Sequence, residues 1–491
     1  MSYLRGPGRT QTQLLPACVE DYVPTNAPVR FIEAFVEGLD YQSLKFAHGQ
    51  AAKTGRPPYH PADLLALYLY GYLHRIRSSR RLEAEAGRNL EVIWLLQGLR
   101  PDFKTIAEFR RINRQCFKGL FKQFNLWCRK LDLFGAELVA IDGSKFKAVN
   151  NSRRHYTQEE LQELIGQIEK RIDDYLSQLD CEDQAAQGLA EAPSGWQLQQ
   201  KIEQLRTTQG DYAHLLEQLQ QSGQNELSLT DPDSRKMKGA HGEHFIGYNV
   251  QTAVDAKHDL IVAQEVVQCA NDRNQLADMA KAAKEALAVE TLKVLADKGY
   301  HEADQLEACE QAGIETFVPA VGTTSGQGKK GKKIFPKERF GYNETTDSYQ
   351  CPSSQTLTRR GLGKSRGKEY IHYANPSACQ QCPLKAHCTT GEYREIGRRI
   401  NEAVVERAAQ RVKANPQLVA QRKTIVEHVY GSMRQWGHDL FLLLGLEKVQ
   451  AEFSLSALVY NLRRVINLVS LERVRAVVKK VTSPSLIPAM S

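Results

Sequence analysis

The chain has 491 residues, more than one ordinary hydrophobic core accommodates, so we expect two to four domains. Its 42% hydrophobic and 25% charged residues are typical of a globular protein. The formal net charge of +8 is compatible with a nucleic-acid partner but does not require one, because the positions of the cations matter more than their total.

The sequence shows neither a signal peptide nor a transmembrane segment. The segment MSYLRGPGRTQTQ lacks the apolar stretch of a signal peptide. The longest apolar runs, such as LLALYLYGYL, are too short to cross a bilayer. We therefore expect a cytoplasmic protein without membrane contact.

Residues 1–134 are predicted to form a helical domain, because HPADLLALYLYGYLHRI and NRQCFKGLFKQFNLWCRKL have amphipathic helical periods. The segments between these two helices are rich in arginine. Two interpretations are open: a solvated helical face, or a compact DNA-binding module whose successive helices neutralise phosphates. The second interpretation assigns DNA contacts to Arg77, Arg80, Arg81, Arg110 and Arg111.

From about residue 137 the pattern changes to short strands. We predict strands over ELVAID, FIGYNVQTAV, DLIVAQEVVQ, TLKVLAD and ETFVPA, with helices over NDRNQLADMAKAAKEAL and HEADQLEACEQAG. The order is strand, paired strands, helix, strand, helix, strand. It predicts a mixed sheet with helices packed on it, formed by residues 135–154 and 236–320.

Two insertions interrupt this order. Residues 155–235 are rich in Glu and Gln at helical spacing and predict an antiparallel helical hairpin, either structural or used for oligomerisation or DNA clamping. Residues 321–395 are rich in Gly, Lys and Cys and predict a small, loop-dominated module. Residues 396–473 are predicted to return to helices, and residues 474–491 to form a disordered tail.

Three acids stand in positions that suit a catalytic site. Asp142 ends the first predicted strand and Asp297 ends TLKVLAD, so parallel strands would bring their carboxylates to one edge of the sheet. Glu427 lies on the helix TIVEHVYGSMRQW, on one stripe with Lys423 and Arg434. The alternative for Glu427 is an ordinary exposed ion pair.

The neighbours of these acids indicate phosphate chemistry. Cations accompany all three, namely Lys145 and Lys147, Lys298, and Lys423 with Arg434. Three carboxylates suit Mg²⁺, and two ions about 3.5–4 Å apart would support in-line phosphoryl transfer. In this interpretation Gly143 permits close approach of backbone and substrate, while Lys145 and Lys147 address the DNA backbone.

The blocks AIDGSKFKAVNNSRRHYT, ADKGYHEADQLEACEQAGI, RKTIVEHVYGSMRQWG and FLLLGLEKVQAEFSLSALVYNLRRV resemble those of bacterial insertion-sequence DDE transposases with a ribonuclease H-like catalytic core. The segments TGRPPYHPADLLALYLYGYLHRIRSSRRLEAEAGRNLEVIWLL and PDFKTIAEFRRINR resemble that family's amino-terminal domain. The resemblance therefore covers most of the chain. It implies a multidomain α/β protein with an N-terminal helical domain, a mixed-sheet core, a helical insertion and a Cys-rich insertion.

The resemblance also implies a function. Asp142, Asp297 and Glu427 would be the catalytic triad and would hold two Mg²⁺ ions. The protein would bind double-stranded DNA at element ends as a homodimer, hydrolyse a phosphodiester and join the freed 3′-hydroxyl to target DNA. Many relatives carry a Tyr, an Arg and a Lys on the Glu helix, where this chain has Ala420, Lys423 and Arg434. The alternatives are a non-catalytic DNA-binding repressor and a general metal-dependent nuclease.

Four cysteines form a separate candidate metal site. Cys351 precedes CQQCPLKAHC, which contains Cys379, Cys382 and Cys388. Paired thiolates two residues apart favour tetrahedral Zn²⁺, which would stabilise an insertion without a large core. Free thiols are the alternative, a redox pair is disfavoured, and His387 is a possible substitute ligand. The basic neighbours GKKGKK and RRGLGKSRGK indicate DNA contact.

Overall fold

The computed structural model describes residues 18–50, 57–150, 154–184, 195–239, 242–320, 334–365 and 367–482. Helices dominate its N-terminal part, as predicted. Their bounds are α1 Pro28–Glu37, α2 Pro61–Leu73, α3 Ser79–Arg88, α4 Leu90–Leu95, α5 Phe103–Ile112 and α6 Cys116–Lys130.

Helix α2 is the centre of this N-terminal part. It begins at Pro61, which suits a first helical turn, and the ring of His60 accepts a hydrogen bond from the Ala62 backbone N–H. Its residues Leu64–Tyr72 are buried on every side. A helix that is apolar all round needs neighbours on every face, and α1, α3, α4 and α5 all contact it.

The middle of the chain alternates strands and helices in the predicted order. The elements are β1 Leu138–Lys147, β2 His155–Thr157, α7 Gln158–Gln184, α8 Gly195–Ser222, β3 Glu226–Ser228, β4 Arg235–Lys238, β5 His244–Asp255, β6 Leu260–Val267, α9 Leu276–Leu287, β7 Leu292–Leu295, α10 Ala303–Gln311 and β8 Ile314–Phe317.

Six of these eight strands build a mixed sheet. Its path is β4-β5-β1-β7-β8, and β6 also pairs with β5. The β1/β5, β4/β5 and β5/β6 pairs are antiparallel, whereas β1/β7 and β7/β8 are parallel. The predicted mixed sheet with helices packed on it is therefore confirmed.

The first insertion forms the expected pair of long helices. Glu169 accepts a hydrogen bond from Gln209, and Lys201 lies over the ring of Tyr175. Glu169 precedes Tyr175 on α7, whereas their partners follow the opposite order on α8, with Lys201 before Gln209. The two helices are therefore antiparallel. A short antiparallel pairing of β2 with β3 closes the base of this hairpin.

The second insertion differs from the predicted loop-dominated module. It contains a five-stranded antiparallel sheet, in which each strand pairs with the next one along the chain, around a small core of Phe340, Tyr349, Leu357, Tyr373 and Ile396. Glycines and exposed cations on the strands hide the usual alternation of polar and apolar residues. GKKGKK lies outside the described residues. The bounds are β9 Gly341–Asn343, β10 Ser348–Gln350, β11 Thr356–Ser365, β12 Lys368–Ala374, α11 Pro376–Gln380, α12 Lys385–Cys388 and β13 Glu395–Arg399.

Four helices complete the chain: α13 Glu402–Ala414, α14 Pro416–Gln435, α15 Leu446–Leu468 and α16 Leu471–Thr482. Helix α15 contacts β6, α6 and α2, so the N-terminal helices and the sheet share one continuous core. The prediction of disorder from residue 474 is wrong as far as Thr482, because α16 packs its apolar face on α1 and α6. Within the described ranges, every helix is too short or too polar to cross a lipid bilayer.

Candidate active site

Asp142 lies on β1, and Asp297 lies two residues after the end of the neighbouring parallel strand β7. Ala140 of β1 pairs with Leu295 of β7, so the residues two positions later, Asp142 and Asp297, stand side by side at the edge where β7 ends. Asp297 begins a short 3-10 turn, and its carboxylate accepts a hydrogen bond from the Gly299 backbone N–H at 2.7 Å. The predicted parallel pairing of these two strands is confirmed.

The prediction that Asp142 ends its strand is wrong. Strand β1 continues to Lys147, paired with β5 as far as Gly247. It continues because its polar residues find partners inside the protein: Lys145 bonds to Asp272, and Ser144 accepts a hydrogen bond from Arg434 at 2.9 Å. Asp142 therefore lies in mid-strand, just beyond the end of its parallel neighbour.

The environment of Asp142 opposes its negative charge. Burial raises the pKa of Asp142 to about 6, and the carboxylates of Asp297 and Asp272 add to this effect. Arg422, whose Nη1 lies 3.4 Å from Asp142 Oδ1, and the Gly143 backbone N–H act in the opposite direction. The carboxylate thus occupies a position that favours a compensating positive charge.

Helix α14 packs across β1 at this point. The Tyr430 hydroxyl donates to the backbone oxygen of Asp142 at 2.8 Å and accepts from the Thr252 hydroxyl at 3.0 Å. Tyr430 is buried, whereas Glu427, one turn earlier on the same helix, is exposed. Sequence reasoning identified the helix but not the bonds of Arg422 and Tyr430 to Asp142, because a helical pattern alone does not show which strand it crosses.

The three predicted acids are not all brought together. Among the residues that the structure describes, no three His, Cys, Asp or Glu side chains are grouped closely enough to hold a metal ion. Asp142 and Asp297 are neighbours, and Glu427 lies on the adjacent helix outside their group.

Asp272 is a further acid at the site that sequence reasoning missed. Its Oδ1 accepts hydrogen bonds from Asn249 and Gln251, both at 2.7 Å, and an ion pair from Lys145 at 3.0 Å. Gln251 in turn accepts a bond from the hydroxyl of Tyr300, which lies three residues after Asp297. The residues NDRNQ were predicted to begin a helix, but α9 begins only at Leu276. The role of Asp272 could not be recognised there, because its partners come from two strands elsewhere in the chain.

This network explains Gly143. A Cβ atom at that position would lie 2.4 Å from Gln251 Nε2 and 2.6 Å from Asp272 Oδ1. Glycine is therefore needed for the Asp272 network, while its predicted role in the close approach of substrate stays a prediction. Lys145, predicted to bind DNA phosphates, is largely buried against Asp272.

Arg77 is also engaged inside the protein. It donates to the backbone oxygens of Gly437 and Leu440 at 2.5 and 2.9 Å and pairs with Glu452 at 3.2 Å. The side chains of Arg77 and Glu452 are 12% and 1% exposed, so this is a buried structural pair. The prediction that Arg77 contacts DNA is wrong, because its donors hold the segment between α14 and α15.

The other predicted DNA-binding cations lie at or near the surface. Arg80 lies over the ring of Phe103 at 5.1 Å, Arg110 over Tyr68 at 5.9 Å, and Arg111 pairs with Glu108. The remaining ones are exposed: Arg81, Lys147, Lys298, Lys423 and Arg434.

The four cysteines of the second insertion line one cavity, although they do not form a ready metal-binding group among the described residues. Burial raises the pKa of Cys388, and the thiols of Cys379, Cys351 and Cys382 raise it further, against the opposing effect of Arg394. The Cys382 thiol also lies 3.3 Å from the Ser353 hydroxyl. The structure thus gathers the four thiols around one space, as their spacing in the sequence suggested.

Comparisons with known proteins agree on a class. A family model described as "Transposase DDE domain" matches residues 219–462, and one described as "Transposase domain (DUF772)" matches residues 17–111. No curated protein matches the chain. A solved structure, "Cryo-EM structure of piggyBac transposase synaptic complex with hairpin DNA (SNHP)", is 10% identical, with 94% of this chain and 82% of that chain covered, at a TM-score of 0.28.

The two family models, at opposite ends of the chain, define the protein as a transposase. More particularly, the chain belongs to the insertion-sequence DDE transposases, and its mixed sheet is consistent with their ribonuclease H-like core. The TM-score of the solved structure is too low to establish a shared fold. The matched DDE region includes Asp297 and Glu427 but begins after Asp142.

Proposed function

We propose that this transposase is catalytically active, with Asp142, Asp297 and Glu427 as its catalytic acids. It would bind the ends of its own element, hydrolyse a phosphodiester and join the freed 3′-hydroxyl to target DNA. The observation that carries this proposal is the pairing of β1 with β7, which sets Asp142 beside Asp297 at an open edge of the sheet.

The donor set fits Mg²⁺. Carboxylate oxygens are the ligands that Mg²⁺ prefers, and two acids side by side need a cation to ionise together. Arg422 supplies one positive charge to Asp142, yet its Nη1 is buried without a hydrogen-bond partner among the described residues. Asp142, Asp297 and Glu427 would hold the ions, which supply activation of the attacking oxygen and stabilisation of the leaving oxygen.

Glu427 requires a further argument, because it is not grouped with the two aspartates. It stands one helical turn from Tyr430, whose hydroxyl bonds to the Asp142 backbone. A change of side-chain rotamer on an exposed glutamate costs little, so Glu427 can turn toward Asp142 when a cation is bound. Tyr430 and Arg434 would hold β1 in register against α14 during this change.

The exposed cations around the acids would bind DNA phosphates. Lys298 follows Asp297 directly, and Lys423 and Arg434 flank Glu427 on its helix stripe. Lys147 at the end of β1 and the N-terminal cations Arg80, Arg81, Arg110 and Arg111 would extend this contact. Arg77 and Lys145 are left out of the proposed DNA surface, because Arg77 pairs with the buried Glu452 and Lys145 pairs with the partly buried Asp272.

A structural Zn²⁺ is the second proposed metal. The four thiols share one cavity, and deprotonation with small side-chain rotations would supply a tetrahedral Cys₄ site. We expect about one zinc per chain by elemental analysis. A Cys382→Ser variant should lose the zinc, whereas Cys309→Ser, which removes a buried thiol of the main core, should keep it. Equal zinc in both variants, or none in the native protein, would remove this proposal.

The proposed assembly is a cytoplasmic homodimer that pairs the two element ends, as the family resemblance implies. Its activity is tested with labelled DNA that carries the gene's own flanking sequences, in the presence of Mg²⁺. Native protein should nick defined positions in the flanks. Asp297→Asn should bind without nicking, and Asp132→Asn, which changes an acid that is 84% exposed, should behave as native protein.

The second candidate function is a DNA-binding repressor without catalysis. The observation that favours it is that only two of the three predicted acids, Asp142 and Asp297, are grouped among the described residues. In that case native protein and Asp297→Asn would bind the flanks equally, and neither would cut them. Nicking without preference for the flanks would instead indicate a general nuclease.

A further inference from the structure

The β11–β12 hairpin, which we call the ribbon, carries a basic stretch of β11 that extends beyond the neighbouring strand β10. Strand β10 pairs only with Thr356–Thr358 of β11, and β13 pairs only with Tyr370–Ala374 of β12. The segment from Gly361 to Ser365 therefore pairs with β12 alone and leaves its other edge open. A β-bulge between Arg359 and Gly361 leaves Arg360 outside the regular pairing.

We propose that this ribbon binds DNA beside the catalytic acids, with Arg359, Arg360 and Lys364 on phosphates and Leu362 against a sugar or base edge. The inference deepens the proposed function, because it names a surface that holds the DNA of the same active site.

The exposure and charge of the ribbon support this inference. Arg359, Arg360, Leu362 and Lys364 are all exposed, and Leu362 is 66% exposed. Lys364 pairs with Glu369 at 3.1 Å through side chains that are 74% and 52% exposed. Arg359 reaches Asp347 only at 3.8 Å. Ion pairs so open to water contribute little stability, so the cations can exchange them for phosphates.

The position of the ribbon relative to the acids is fixed by Glu302. This buried glutamate lies five residues after Asp297 and accepts bonds from Lys368, at the start of β12, and from Arg399 of β13 at 2.8 Å. Arg399 also reaches Asp304, next to the start of α10. Lys368 pairs with Ser365 beside the turn, so the turn end of the ribbon is attached to the segment that carries Asp297. DNA at the acids therefore lies within reach of the ribbon.

Cations on an open strand edge also have a purely protective explanation, since they prevent pairing with other chains. Protection does not account for a large apolar side chain at 66% exposure in the middle of the same edge. An apolar residue between cations is suited to DNA, where it meets sugars and base edges while the cations meet phosphates.

The salt dependence of DNA binding tests the inference. The full-length Asp297→Asn protein, which should not cut, is titrated onto duplex DNA carrying the gene's flanks at several salt concentrations. Each phosphate contact contributes about 0.9 to the slope of log affinity against log salt. Changing Arg359, Arg360 and Lys364 together to Gln should therefore reduce the slope by roughly 2.7.

A matched control removes the same charge elsewhere. Lys122→Gln, Lys130→Gln and Lys281→Gln together change three exposed lysines on α6 and α9, and should leave the slope nearly unchanged. Equal slopes for the ribbon variant and its parent would overturn the inference while leaving the proposed function intact. A parent protein without affinity for the flanks would overturn both.

Crosslinking gives an independent readout that does not depend on charge. Replacing Leu362 by the photoreactive p-benzoylphenylalanine should yield a covalent protein–DNA product on irradiation. The same replacement at Leu468, which is 40% exposed at the end of α15, should yield none. Absence of a product from position 362 in a protein that still binds the flanks would contradict the ribbon contact.

Discussion

Replacing Asp142 by Asn should stabilise the metal-free protein, and should do so only above the acidic range. The pKa of Asp142 is about 6 in the folded protein against 3.8 for an ordinary aspartate, mainly because of burial. Its side chain is 24% exposed, so screening by water removes little of this effect. Above pH 6 the Asp142 carboxylate is therefore charged in both states, and its charge costs more free energy in the folded protein than in the unfolded chain.

The sign and size of the effect follow from proton linkage. Between pH 3.8 and about 6 the folded state binds more protons at Asp142 than the unfolded state, so stability falls as pH rises through this range. About two pKa units correspond to about 3 kcal/mol, of which about 2.5 kcal/mol develops between pH 4 and pH 8. An Asn at this position does not titrate. Its advantage over the native protein should therefore grow by about 2.5 kcal/mol over that interval.

Thermal unfolding in EDTA at pH 4 and pH 8 measures this difference. For a chain of this length about 2.5 kcal/mol corresponds to a shift in melting temperature of about 2–3 °C. Asp259→Asn is the matched control, since Asp259 is also 24% exposed and also paired with an arginine, Arg464. It should bring no such gain. An Asp142→Asn variant whose stability follows that of native protein equally at both pH values would refute the reasoning.

Other predictions concern the packing around the site. Arg77→Ala should lower stability by about 3–5 kcal/mol, because it leaves Glu452 charged and buried, whereas Arg88→Ala, which removes a 71% exposed arginine, should change the melting temperature little. Gly143→Ala should lower the free energy of unfolding by about 1–3 kcal/mol and reduce DNA nicking, because its Cβ collides with the Asp272 network. Gly210→Ala, in open space on α8, should be neutral or stabilising in the same denaturation assay.

The sequence predicted those parts of the fold that depend on local periodicity. The buried strands around Asp142 and Asp297 and the helix carrying Glu427 could be recognised from their apolar patterns. The parallel arrangement of the strands before Asp142 and Asp297 could be proposed, because parallel strands bring the residues at their carboxyl ends to one edge of the sheet. The antiparallel helical hairpin was equally accessible, since it consists of two long segments with one short connection.

What could not be predicted depends on contacts between distant segments. Arg77 looked like a surface cation, because the Glu452 that buries it is 375 positions away. The role of Asp272 depends on Asn249 and Gln251 from β5 and on Lys145 from β1, and no local pattern connects these residues. The sheet of the second insertion was missed because glycines and exposed cations on β11 hide the alternation of polar and apolar residues.

The most direct measurement of the central claim is Mn²⁺ binding to the full-length protein, followed by electron paramagnetic resonance at pH 8. The account predicts that native protein binds Mn²⁺ and that Asp142→Asn and Asp297→Asn each lose most of this binding, while Asp259→Asn keeps it. Equal binding by native protein and both site variants would show that the paired aspartates of β1 and β7 do not form the metal centre.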